Sequence, residues 1–91
     1  MNNKTAFQRD ILFVIYGHDK PKGLEIKSHL EDYYDQEVNH GRLYPNLDQL
    51  ADDGLVQKGK KDDRTNEYQL TDRGKKTLWS RLDWQSDLTD P

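Results

Sequence analysis

Phe7, Ile11, Val14 and Ile15 recur at the three- and four-residue spacing of a single helical face, with Thr5 placed ahead of them as a natural N-cap. The pattern predicts a first helix that closes at Gly17, before the loop His18-Asp19-Lys20-Pro21. Leu12, Phe13 and Tyr16 make this helix apolar almost all round, so it is either central or covered by a second surface. After Pro21 and Gly23, the residues Leu24, Ile26, Leu30, Tyr33 and Tyr34 predict a second helix of about twelve residues. Asp35 to Val38 reads as a turn. Asn39 then caps a third helix with the stripe Leu43, Leu47, Leu50 and Ala51, closed by Gly54. Pro45 falls beyond the first turn of that helix and has no N–H to donate, which predicts a distorted start around His40 to Tyr44.

The period then changes. Leu55-Val56-Gln57 is a short strand candidate, Lys58 to Arg64 a charged loop turning at Asp62-Asp63, and Thr65 to Leu70 a second strand with Tyr68 and Leu70 on one side. Thr71 caps a last helix with Asp72 in its first turn, and Leu78, Trp79 and Leu82 carry its apolar side. Residues 86–91 are polar and read as a frayed tail. Three helices, a hairpin and a final helix make a mainly α chain with a small β-hairpin (α+β). That is the order of a winged helix-turn-helix: one domain over residues 1–91, with its core in 5–70 and a C-terminal dimerisation helix over 71–85.

Composition sharpens the picture. With 91 residues, 32% hydrophobic and 34% charged, a single domain of this size is marginal alone, and a partner chain is the natural remedy. The absence of cysteine excludes disulfides, thiol catalysis and cysteine-ligated zinc. The longest apolar run, Ile11 to Tyr16, falls far short of the ~20 residues of a membrane span. No secretory apolar region opens the chain, so a cytoplasmic protein is expected. Thirteen Asp against four Glu suit a salt-adapted surface, while nine Lys against five Arg point the other way, and the sequence leaves both readings open.

The net charge of −3 is unevenly spread: +2 over residues 1–30, −6 over 31–56 and +1 over 57–91. Within the last block Lys58, Lys60, Lys61 and Arg64 crowd the hairpin. On the third helix, Arg42, Asn46, Gln49 and Asp53 follow one another at i, i+4, i+7 and i+11, read as the face turned away from the leucines. Arg, Asn and Gln are the side chains that pair with guanine and adenine edges in the major groove, and a basic wing suits neighbouring phosphates. Asn39 and His40, at the entrance of the same helix, join this candidate DNA-binding set.

The stretch Gly41-Arg42-Leu43-Tyr44-Pro45-Asn46-Leu47-Asp48-Gln49-Leu50, followed by Asp53-Gly54-Leu55-Val56, resembles the PadR-like transcriptional regulators. Tyr68-Gln69-Leu70-Thr71-Asp72-Arg73-Gly74 is similar to that family's junction between wing and last helix, and likeness extends from about Phe7 to Leu82. The resemblance implies a homodimeric repressor on inverted-repeat operators, with a phosphate contact at Tyr44 and wing contacts at Lys60, Lys61 and Arg64. It departs at Arg42, where the family more often carries a small hydroxyl residue. The sequence ends about one helix past the wing, so dimerisation is expected to use the last and first helices through Phe7, Ile11, Leu78, Trp79 and Leu82.

Plainer readings stand beside these. Tyr44 lies beside the leucine stripe and also reads as a core-edge aromatic; Asn46 and Gln49 also read as ordinary helix surface. Asp48, Asp52 and Asp53 would repel phosphate and read as a solvated face. His18, His29 and His40 are eleven residues apart with no helical partner histidine, so no metal site is expected. No cofactor motif and no catalytic arrangement stands out, so no enzyme is expected. The main rival to a DNA-binding regulator is a winged helix used to bind protein, favoured by the acidic stretch 31–56. A regulator holding a small aromatic effector between protomers is the third reading.

Overall fold

The computed structural model describes residues 3–90 and has four helices and one hairpin: α1 (Ala6–Tyr16), α2 (Gly23–Tyr34), α3 (His40–Asp52), β1 (Val56–Lys60), β2 (Asn66–Leu70) and α4 (Asp72–Thr89). This is a winged helix. The helices begin where capping chemistry places them. Thr5 accepts from the Gln8 amide while Gln8 reaches back to the Thr5 N–H, a reciprocal box at the start of α1. Asn39 accepts from Gly41, and Thr71 from Gly74.

The core is one cluster built from every element. Ile11, Leu12, Ile26, Leu30, Leu43, Leu47, Leu50 and Leu78 are shut off from solvent, with Phe7, Val38, Val56 and Tyr68 nearly so. Each such aliphatic side chain contributes about 1.5–3 kcal/mol relative to exposure. Gly54 closes α3 in the left-handed conformation (φ +77°), which redirects the chain into the hairpin. β1 and β2 pair antiparallel with Val56 opposite Leu70 and Lys60 opposite Asn66. A bridge between Lys22 and Glu67, with Tyr68 donating to the Pro21 carbonyl, ties the segment before α2 to the outer side of β2.

Three expectations need correction. The first strand starts at Val56 and runs on to Lys60, so Lys58, Gly59 and Lys60 lie in the ladder, not in a loop. Cross-strand pairing outweighs the poor strand propensity of Lys and Gly. The α3 helix is unbroken through Pro45. Its pyrrolidine ring points to solvent, and the only bond lost is the one to the Gly41 carbonyl, itself exposed. The expected frayed tail is helical as far as Thr89, with Asp90 donating to the Ser86 carbonyl. Polar residues do not stop a helix, and no Gly or Pro intervenes between Gly74 and the tail.

Candidate nucleic-acid interface

The third helix presents a different face from the one its sequence spacing suggested. At 3.6 residues per turn, the positions farthest from Leu43, Leu47 and Leu50 are Gly41, Pro45, Asp48, Gln49 and Asp52, and all five are exposed. Arg42, Asn46 and Asp53 instead lie along one flank and meet the start of α1. The Arg42 guanidinium sits 3.9 Å above the centre of the Phe7 ring. Gln8 Nε2 donates to Asn46 Oδ1 (3.1 Å), and Asn46 Nδ2 donates to the Arg42 carbonyl (2.7 Å). Lys4 pairs with Asp53, which also accepts from Gln49. These two donors hold the Asp53 carboxyl below the usual carboxylate range, Lys4 most of all. Both ends of the Asn46 amide are thus engaged within the protomer, whereas Gln49 spans the boundary between flank and outward face.

The opposite flank of α3 faces the wing. Tyr44 is half-buried, its ring stacked on His40 (5.6 Å between centres, 17° between planes). Its hydroxyl overhangs Gly23 at the start of α2. Tyr44, Lys22, Arg64 and Thr65 line a cleft of about 320 Å³ between α2, α3 and the hairpin. Lys58 reaches across from β1 to Asp48 on the outward face (3.4 Å), both side chains being exposed. Lys60, Lys61 and Arg64 are exposed at the hairpin end. There Asp62 Oδ1 accepts from the Arg64 and Thr65 amides, which hold its carboxyl below the ordinary range, the Arg64 bond foremost. The wing tip is therefore a tied loop, with its cations pointing outward.

The interface residues expected between protomers divide into two groups. Phe7 and Ile11, on the central helix α1, and Leu78, on the inner side of α4, are buried in the protomer's own core and leave no side-chain surface for a partner. Trp79 and Leu82 stay exposed, at 46% and 43%, beside Tyr16, whose hydroxyl accepts from Trp79 Nε1 at 3.0 Å. His18 and His29, eleven residues apart in the chain, stack at 3.9 Å where α1 meets α2. Among the described residues no group of three or more His, Cys, Asp or Glu could hold a metal ion, and no helix is long and apolar enough to cross a membrane.

Sequence reasoning passed over Phe7, Gln8 and Lys4 as neighbours of α3, and over Gly23 beneath Tyr44. Gln8 carried a readable signal, since Thr5 followed by Gln8 is the spacing of a capping box. Gly23 carried none.

The profile of the transcriptional regulator PadR-like family matches residues 11–80. The chain belongs to that family. A comparison with curated protein sequences finds no match. Among solved structures, this PadR-like chain is similar to RosR of H. salinarum, at 50% identity and a TM-score of 0.92 over 97% of this chain and 79% of that one. A PadR-like transcription factor from Bacteroides fragilis shares the fold at 20% identity and a TM-score of 0.80, covering 92% of this chain and 84% of its own. Bacillus subtilis PadR in complex with operator DNA does so at 24% identity and a TM-score of 0.72, over 86% and 47%.

Proposed function

We propose that this PadR-like chain is a sequence-specific DNA-binding regulator, acting as a homodimeric repressor that covers promoters at inverted repeats. The observation that carries the reading is the cleft where Tyr44 of α3 meets Lys22 and Arg64, with Lys60 and Lys61 exposed beyond it. It sets a helix that fits the major groove beside cations that suit the flanking phosphates. In this reading His40, Arg42 and Gln49 face bases, Tyr44 and Asn39 steady the helix entrance, and the wing follows the backbone. Asn46 holds the helix in place instead of reading. Half identity to RosR and the operator complex of B. subtilis PadR support the assignment.

A second copy would pack on Tyr16, Trp79 and Leu82, placing the two α3 helices about 34 Å apart, one DNA turn. No effector, cofactor or enzymatic role enters this reading, and the cytoplasm is the compartment it implies. One observation favours the rival of a protein-binding module: Asp48 and Asp52 stand on the outward face of α3. Selection of bound sequences from a random duplex pool, at low and at molar salt, separates the two. Recovery of a palindromic consensus supports the regulator; no enrichment at either salt concentration overturns it.

A further inference from the structure

We propose that Phe7 is a positioning residue for DNA reading: its ring, set in the core at the first turn of α1, is the platform that holds the Arg42 guanidinium ready at the entrance of α3. The inference rests on the DNA-binding reading above and adds to it a residue that never touches DNA.

The geometry is specific. Phe7 is only 5% exposed, yet one face of its ring carries an exposed cation 3.9 Å from its centre. The other ring contact is Tyr34, at 6.3 Å between centres, so the platform is itself packed against α2. A guanidinium attracted to a ring makes that contact without consuming its N–H donors, as it would in an ion pair. Among the described residues no carboxylate pairs with Arg42 and its guanidinium donates to no protein acceptor, although the chain is rich in acids. A cation held over a ring, with no protein acceptor for its N–H donors, is suited to bidentate contact with a planar acceptor pair such as a guanine edge.

The backbone beneath Arg42 is tied to the same turn of α1. The Thr5 N–H donates to Gln8 Oε1, Gln8 Nε2 to Asn46 Oδ1, and Asn46 Nδ2 to the Arg42 carbonyl. Side chain and main chain of Arg42 are thus both referenced to residues 5–8. An arginine free in solvent loses much rotamer freedom when a base immobilises it, and one already stacked loses less. The ring therefore lowers the entropic cost of the contact.

The test uses the full chain, its best duplex from the random pool, and duplexes altered at each base pair of one half-site, titrated by fluorescence anisotropy. Arg42→Ala identifies the base pair that Arg42 reads. Phe7→Leu should reduce discrimination at that base pair by about twofold to tenfold, with affinity for random duplex unchanged. Phe7→Tyr, which keeps the ring, should retain the parent's discrimination, and Phe7→Leu should add nothing in an Arg42→Ala background. Phe7→Met, unbranched and adaptable, takes the place of Phe7→Leu if that variant does not fold. Unchanged discrimination in Phe7→Leu overturns the proposal, as does an equal loss on random duplex or a further loss on top of Arg42→Ala. If Arg42→Ala itself discriminates like the parent, the proposal fails while DNA binding stands. A parent that prefers no duplex at all removes the DNA-binding reading as well.

Discussion

The Tyr44 hydroxyl lies so close above Gly23 that a Cβ there would meet it at 2.6 Å and the ring edge at 2.8 Å. The first residue of α2 therefore sets where the aromatic of α3 can stand. Because the clash is with the free end of a side chain, Gly23→Ala should unfold little. About 1 kcal/mol or less is expected in urea denaturation. The ring must swing away, however, and affinity for every duplex should fall about fivefold if Tyr44 holds a phosphate. Equal affinity in parent and variant, by anisotropy, would take Tyr44 off the DNA.

Gly74 makes the opposite case. A Cβ there would lie 2.2 Å from the Leu55 carbonyl oxygen, a backbone atom fixed by the bond it accepts from Thr71. Nothing flexible can yield, so Gly74→Ala should cost about 3 kcal/mol or more, above the usual range for overpacking. Thermal denaturation beside Gly23→Ala checks the contrast directly.

Removing Lys60 and Lys61 together should weaken binding to all sequences alike. Both are exposed in a wing tip held by Asp62, so their loss changes charge and not loop shape. The slope of log K against log salt should shrink by up to ~2 units per protomer. An unchanged slope would place the wing away from the phosphates.

Much of this architecture is legible in the chain before any coordinates. The caps Thr5, Asn39 and Thr71, the leucine stripe of α3 and the change of period at Leu55 locate α1, α3, the hairpin and α4, because each is a local signal, while α2 shows only in its apolar spacing after Gly23. The site is less legible. Spacing arithmetic orders residues round α3 but says nothing of what lies beside the helix, so Arg42 and Asn46 read as outward when both engage the start of α1, Asn46 through Gln8 and Arg42 lying exposed over the Phe7 ring. Phe7 and Ile11 fail as interface residues for a related reason: a helix apolar all round is equally the sign of a central helix in a small fold. The wing's cations keep the exposed place their charge implies, since nothing in so short a hairpin can bury them.

The proposed dimer would use the exposed patch of Tyr16, Trp79 and Leu82. Trp79→Ala removes its largest side chain and the bond to Tyr16. If a second copy covers this patch, the monomer–dimer equilibrium should shift toward monomer by about 2 kcal/mol or more. Sedimentation equilibrium reads it, with Leu82→Ala as a neighbouring check. A parent that stays monomeric removes both the dimer and the palindromic operator.

Acid should loosen the α2–α3 turn. Glu31 Oε2 accepts from the buried Val38 amide and from Lys27, each at 2.9 Å, and these bonds, the Val38 one first, hold its carboxyl below the ordinary value. A carboxyl with a lowered folded-state pKa stabilises the fold above its unfolded pKa, and that stability is lost as pH falls through the folded value. Denaturation midpoints should therefore drop below pH ~4, and Glu31→Gln should flatten that drop while lowering stability at neutral pH.

The pairing of Lys4 with Asp53 joins two helices outside the core. It anchors Lys4, ahead of α1, to the far end of α3, so a substitution at either residue of the pair is felt at both helices.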